Sequence, residues 1–168
     1  VQGKWAQEFD KFKKKIETAR EEAKTKIETF RQQIKTEKDA AKAKIKELRI
    51  TGREKALERF DGAVKRISSL KEKISSKIAE LETKGVDVIS AKAFVATAET
   101  RLVDAKNRVA EINTLLATSI NALTLENKTK LRTLMKETQT LVIEAQKALK
   151  DAVKSLKDAI KTNVSATE

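Results

Sequence analysis

The sequence predicts an all-α fold: an elongated antiparallel bundle of three helices over about residues 55–162, with a long N-terminal coiled-coil helix that extends from it or packs as a fourth. Three observations predict it. Apolar residues recur at alternating steps of three and four along most of the chain, which is the spacing of one helix face. Charged side chains make up 37% and aromatics only 4% of the 168 residues, too few large apolar groups for a broad layered core. Proline is absent, so nothing obliges a helix to stop.

The first element is marked by Trp5, Phe9, Phe12, Ile16, Ala19, Ala23, Ile27, Phe30 and Ile34, a coiled-coil seam with one stutter. Lys, Glu, Gln and Ala fill the flanks and agree with it in propensity. Past Ile34 the seam thins, because the next positions fall on Glu37 or Lys38; it resumes at Ala41, Ile45 and Leu48. A second, stronger register passes through Leu57, Phe60, Val64, Ile67, Leu70 or Lys71, Ile74, Ile78 and Leu81. Between the two lies Gly52, which costs a helix about 1 kcal/mol relative to Ala but does not enforce a break. A continuous helix over residues 4–83 is therefore predicted in preference to a hairpin turned at Gly52.

The segment ETKGVDVISAK signals a tight turn, with Gly85 suited to a left-handed residue past a helix end and Asp87 to a cap. A third helix follows through Ala91, Val95, Ala98, Leu102, Ala105, Val109, Ile112, Leu116, Ile120 and Leu123. Thr124 or Asn127 would cap the fourth, which runs through Leu131, Leu134, Leu141 or Val142, Ala145, Leu149, Val153, Leu156 and Ile160. Connections this short make neighbours antiparallel. The division is thus a basic coiled-coil arm, 1–53, a three-helix bundle, 54–162, and a polar tail, 163–168. A narrow column of Ile, Leu, Val and Ala layers leaves no room for a buried cavity.

Lys and Arg number 37 against 25 Asp and Glu, a net charge of +12. Residues 1–85 hold 24 of the basic and 15 of the acidic side chains, so most of the excess lies in the first half. Such a field attracts an anionic membrane surface or another polyanion such as nucleic acid. No apolar run is long enough to span a bilayer. Cys and His are absent, which removes disulfides, thiol and imidazole chemistry and their metal sites. The four glycines are scattered and form no phosphate loop. The acidic pairs Glu21 with Glu22 and Glu80 with Glu82 lack convergent partners and read as solvated. An enzyme is not expected, nor a cofactor, a metal or a small-molecule substrate.

The block ERFDGAVKRISSLKEKISSKIAELETKGVDVISAKAFVATAETRL contains Arg59, Phe60 and Asp61 with Arg66 and Ile67, then Ile78, Leu81, Glu82, Gly85, Asp87 and Val88, then Ala98 and Leu102. In these elements it resembles small exported coiled-coil proteins of the candidate phyla radiation, or Patescibacteria. The segment KETQTLVIEAQKALKDAVKSLKDAIK is similar to that family's repetitive C-terminal helix, and the likeness covers about residues 55–161. The resemblance implies export to the envelope or cell surface and supplies no catalytic residues.

The leading expectation is a non-enzymatic scaffold or assembly subunit that self-associates or binds another helical protein. Trp5, Phe9, Phe12, Ile16, Ile27, Phe30 and Ile34 are its candidate partner-binding seam. The run FDKFKKKIETAR makes Lys11, Lys13, Lys14 and Lys15 candidate contacts to an anionic surface. The alternatives are an amphipathic bundle that opens reversibly onto lipid, as exchangeable apolipoproteins do, or binding of an anionic polymer.

Overall fold

In the computed structural model the backbone is described for residues 2–118 and 121–165, and side chains for 11–118 and 121–165. Four α-helices make up the regular structure of these residues: α1 Gln2–Lys35, α2 Ala40–Thr83, α3 Ile89–Leu116 and α4 Leu125–Ser165. The all-α prediction holds, and the packing is compatible with a bundle. Helix α4 continues to Ser165, into the segment predicted as a polar tail.

The continuous helix predicted over residues 4–83 is not formed. The chain breaks at residues 36–39, and Gly52 lies inside α2. The break falls where the apolar seam thins, so no buried side chain holds a through-going helix there. Local hydrogen bonds then define the turn. The N–H groups of Thr36 and Glu37 donate to the carbonyls of Gln33 and Ile34 and close α1. Asp39 Oδ1 accepts from the N–H groups of Ala41 and Lys42 at 3.0 and 3.1 Å, satisfying two of the orphan donors that begin α2. Lys46 Nζ reaches back to Glu37 Oε2 at 2.6 Å.

The other turns follow their sequence signals. Gly85 takes φ 75°, a conformation open to glycine at no steric cost. Its N–H donates to Glu82 O and that of Val86 to Leu81 O, the paired bonds of a Schellman motif, with Val86 and Leu81 both in the core beside it. Asp87 Oδ1 accepts the Ile89 N–H at 3.0 Å. Thr124 Oγ1 accepts the Asn127 N–H at 3.1 Å and caps α4.

Contacts divide the chain into two units, residues 1–61 with 106–136 and residues 62–105 with 137–168. In the second unit Ile74, Ile78 and Leu81 of α2 meet Ala91 and Ala98 of α3 and Ala148, Leu149, Ala152 and Leu156 of α4. The alanines at or near zero exposure let the helix backbones approach closely. At the ambiguous position of the α2 seam Lys71, not Leu70, is the more covered residue. Its ammonium meets Glu72 at 3.0 Å and Glu99 at 3.3 Å while the stem packs inward.

The first unit contains all of α1, the start of α2, the end of α3 and the start of α4. Ile112, Leu115, Leu116 and Leu134 form its apolar centre, with Leu57, Phe60, Leu123 and Leu131 packed against them. Helix α1 runs antiparallel to α2, since Arg20 pairs with Asp61 and Arg31, further along α1, pairs with the earlier Glu54.

Candidate functional site

Two surfaces of the first unit bear on function: the α1 seam with its flanking charges, and a groove beside Gly52. Trp5 and Phe9 lie outside the described side chains. Of the remaining candidate seam residues Ile27 is buried, together with Ala23, while Phe12, Ile16, Phe30 and Ile34 are half-buried. The seam is therefore turned inward within the chain. It is held lightly: residues 11–35 contribute two buried side chains, whereas the 28 residues of α3 contribute nine.

The charges of α1 are ordered around that seam. At about 100° per residue, Lys13 and Lys15 flank it on opposite sides, and Arg20, Lys26 and Arg31 also lie along its borders. Glu17, Glu21 and Glu28 fall toward the far face and are exposed. Lys11, Lys13, Lys14 and Lys15 are all exposed and make no ion pair with a described residue. Lys11 sits further from the seam, and Lys14 points away from it. The border arginines do have partners in this state, Asp61 and Glu54 of α2. Both pairs are about one-third exposed, so each contributes no more than about 1 kcal/mol.

The groove was not foreseen from the sequence. It is open to solvent, has a volume of about 460 Å³, and lies between the start of α2, the end of α3 and the first turns of α4. Phe60, Ile112, Leu116, Leu123, Leu131 and Met135 supply its apolar lining, and Gly52 leaves one wall bare. All its charged residues, Arg49, Arg53 and Lys128, are cations.

Arg53 is 8% exposed. Nη1 donates to Leu116 O and Nη2 to Asn121 O, each at 2.9 Å, so the guanidinium closes the C-terminus of α3, where carbonyls lack helical donors and the dipole is negative. Burial, and secondarily the charge of Arg49, push its pKa down. It remains protonated at any ordinary pH.

Elsewhere Lys71, Glu37 and Glu80 serve surface ion pairs. Burial opposes the charge on Lys71, but hydrogen bonds and charges from Glu72 and Glu99 outweigh it and raise the pKa. The hydrogen bond from Lys46 is the main cause of a lowered Glu37. Glu80 receives Lys77 Nζ at 2.8 Å and Lys84 Nζ at 2.7 Å, and these hydrogen bonds hold its carboxyl at about 2. Its neighbour Glu82 meets Lys92 at 2.5 Å, so both members of this acidic pair are engaged by lysines. A depressed carboxyl supports the fold above its unfolded pKa, and that support is lost as pH falls from about 4.5 through about 2. In a carbon-detected NMR titration Glu80 should titrate near 2, and Lys77→Gln with Lys84→Gln should return it toward the ordinary value. A normal titration in the parent chain would contradict the geometry.

No group of three or more acidic side chains able to hold a metal ion occurs among the described residues, and no described helix is long and apolar enough to cross a membrane. No known protein family matches the sequence, and neither a curated protein nor a solved structure is similar to it.

Proposed function

We propose that the protein is a non-enzymatic binding protein whose working element is α1, which swings off α2 and lies on an anionic membrane surface. The observation that carries this reading is the arrangement of α1: an apolar seam bordered by Lys13, Lys15, Arg20, Lys26 and Arg31, with Glu17, Glu21 and Glu28 on the far face. An amphipathic helix at a lipid interface needs that order, because border cations meet headgroups while the seam enters the acyl boundary. In the closed state Asp61 and Glu54 occupy the border arginines as lipid phosphates would in the open one. The few buried side chains of α1 keep opening inexpensive relative to unfolding of the second unit.

Flotation with vesicles of equal phosphatidylglycerol and phosphatidylcholine tests this. The parent chain should bind at low salt, weakly at 0.5 M salt, and not to phosphatidylcholine alone. Each border lysine is worth roughly 1 kcal/mol near an anionic leaflet, so Lys13→Gln with Lys15→Gln should lower binding by more than about tenfold, and Lys14→Gln by much less. Hydrogen exchange should show residues 11–35 unprotected before 70–105. Failure to float, or equal effects of the three lysines, would refute the proposal.

A second reading is the coiled-coil scaffold at an envelope or cell surface, to which the resemblance points and which the half-buried Phe12, Ile16, Phe30 and Ile34 also suit. It predicts a mass that rises with concentration in light scattering and vesicle binding that ignores headgroup charge.

A further inference from the structure

The groove beside Gly52 carries an inference separate from α1. We propose that it is a binding site for a free, single-chain anionic amphiphile, an alkyl chain ending in a carboxylate. This runs against the sequence-based expectation of no small-molecule partner.

Three features of the groove point to this ligand. Its volume, about 460 Å³, lies in the range of sites for small organic ligands, about 300–1,000 Å³. The lining is apolar, and its rim keeps apolar groups in water: Leu48 is 63% exposed and Met135 36%. An alkyl chain in the groove would cover both rim residues and the bare backbone at Gly52, where an added Cβ would find no heavy atom within 4 Å.

The charge at the groove selects the head group. Arg53 is committed to the carbonyls of Leu116 and Asn121. Arg49 and Lys128 also line the groove, and the side chain of neither has a hydrogen bond or ion pair with a described residue. No acidic side chain is among the lining residues, although Glu126 stands in the same first turn of α4 as Lys128. Two uncommitted cations beside an apolar slot complement a single anionic head with a tail. A cationic amphiphile would meet like charge, and a neutral one would gain no charge pairing from either cation.

Gly52 supplies a variant that blocks the site without harming the fold. Within a helix Gly→Leu gains up to about 1 kcal/mol in propensity, and the new side chain would enter the groove, not another helix. The experiment is calorimetric titration of the whole chain with dodecanoate below its micellar concentration, beside dodecyltrimethylammonium and dodecyl maltoside. Saturable binding near one per chain is expected for dodecanoate alone. Gly52→Leu should abolish it while raising the melting temperature, and Arg49→Gln with Lys128→Gln should weaken it by about tenfold or more. No saturable binding, equal binding of the cationic amphiphile, or binding unchanged in Gly52→Leu would overturn the site. So would a dimer in light scattering that Gly52→Leu dissociates, because the groove would then belong to a second copy of the chain. None of these readouts depends on the border lysines of α1, so this test and the vesicle test fail independently.

Discussion

Arg53→Met should destabilise the first unit by about 2–4 kcal/mol, since it leaves the buried carbonyl of Leu116 and that of Asn121 without their donors while nearly conserving volume. Chemical denaturation followed by circular dichroism gives the size of the effect. Hydrogen exchange gives its place, because protection should fall first in the last turn of α3, whose end the guanidinium closes. Arg53→Lys should recover less than half of the loss: an ammonium on a flexible stem reaches one carbonyl well, whereas the planar fork serves both. If Met is tolerated within about 0.5 kcal/mol, the usual range for a surface substitution, the two 2.9 Å hydrogen bonds do not hold the end of α3.

The second large effect belongs to Leu149 in the other unit. Its side chain has no solvent exposure and sits among Ala148, Ala152 and Leu156 of α4 and the α2 and α3 residues of the same core. Leu149→Ala removes three carbons from a layer already built of alanines, so the neighbours have little side chain with which to refill the space. A cost of about 3–5 kcal/mol is expected, toward the upper end for such truncations. Ile160→Ala on the same helix is the control, because its 36% exposure leaves far less to lose. Equal losses at the two positions would mean that α4 is not packed by the face assigned to it.

Much of this architecture is legible in the sequence, for reasons tied to particular residues. The seam of α3 is visible as steps of three and four, and Ala91, Ala98, Leu102, Ala105, Val109, Ile112 and Leu116 are all buried while Val95 is half-buried; the helix ends at Leu116, so Leu123 falls in the connection to α4, and Ile120 lies outside the described residues. Gly85 and Asp87 act through their own backbone and side chain, so a local signal sufficed. The break at 36–39 is not legible from glycine, whose candidate position is residue 52; its decisive feature is a short polar side chain, Asp39, placed to accept the first N–H groups of α2. Thinning of the seam past Ile34 was the signal that could have found it.

The candidate site was legible to a different degree. Read along the chain, FDKFKKKIETAR mixes both signs; read around the helix, Lys13, Lys15 and Arg20 border the seam while Glu17 leaves it, an order that linear spacing conceals. The groove could not be read at all. It needs Gly52, Leu116 and Met135 brought side by side from three helices, and no periodicity encodes which helix face meets which across so many residues.

The turn that reverses the chain between α1 and α2 uses neither glycine nor proline, and every non-glycine residue described there has negative φ. Its shape is kept by the backbone bonds that close α1, the Asp39 cap and the Lys46–Glu37 contact instead of by a residue that only a bend can accommodate. Thr36, Glu37, Lys38 and Asp39 are all residue types that a helix accepts, so backbone sterics alone do not impose the reversal. The reversal is therefore a property of contacts and not of any one residue's backbone, and α1 keeps its antiparallel course through the Arg20–Asp61 and Arg31–Glu54 pairs.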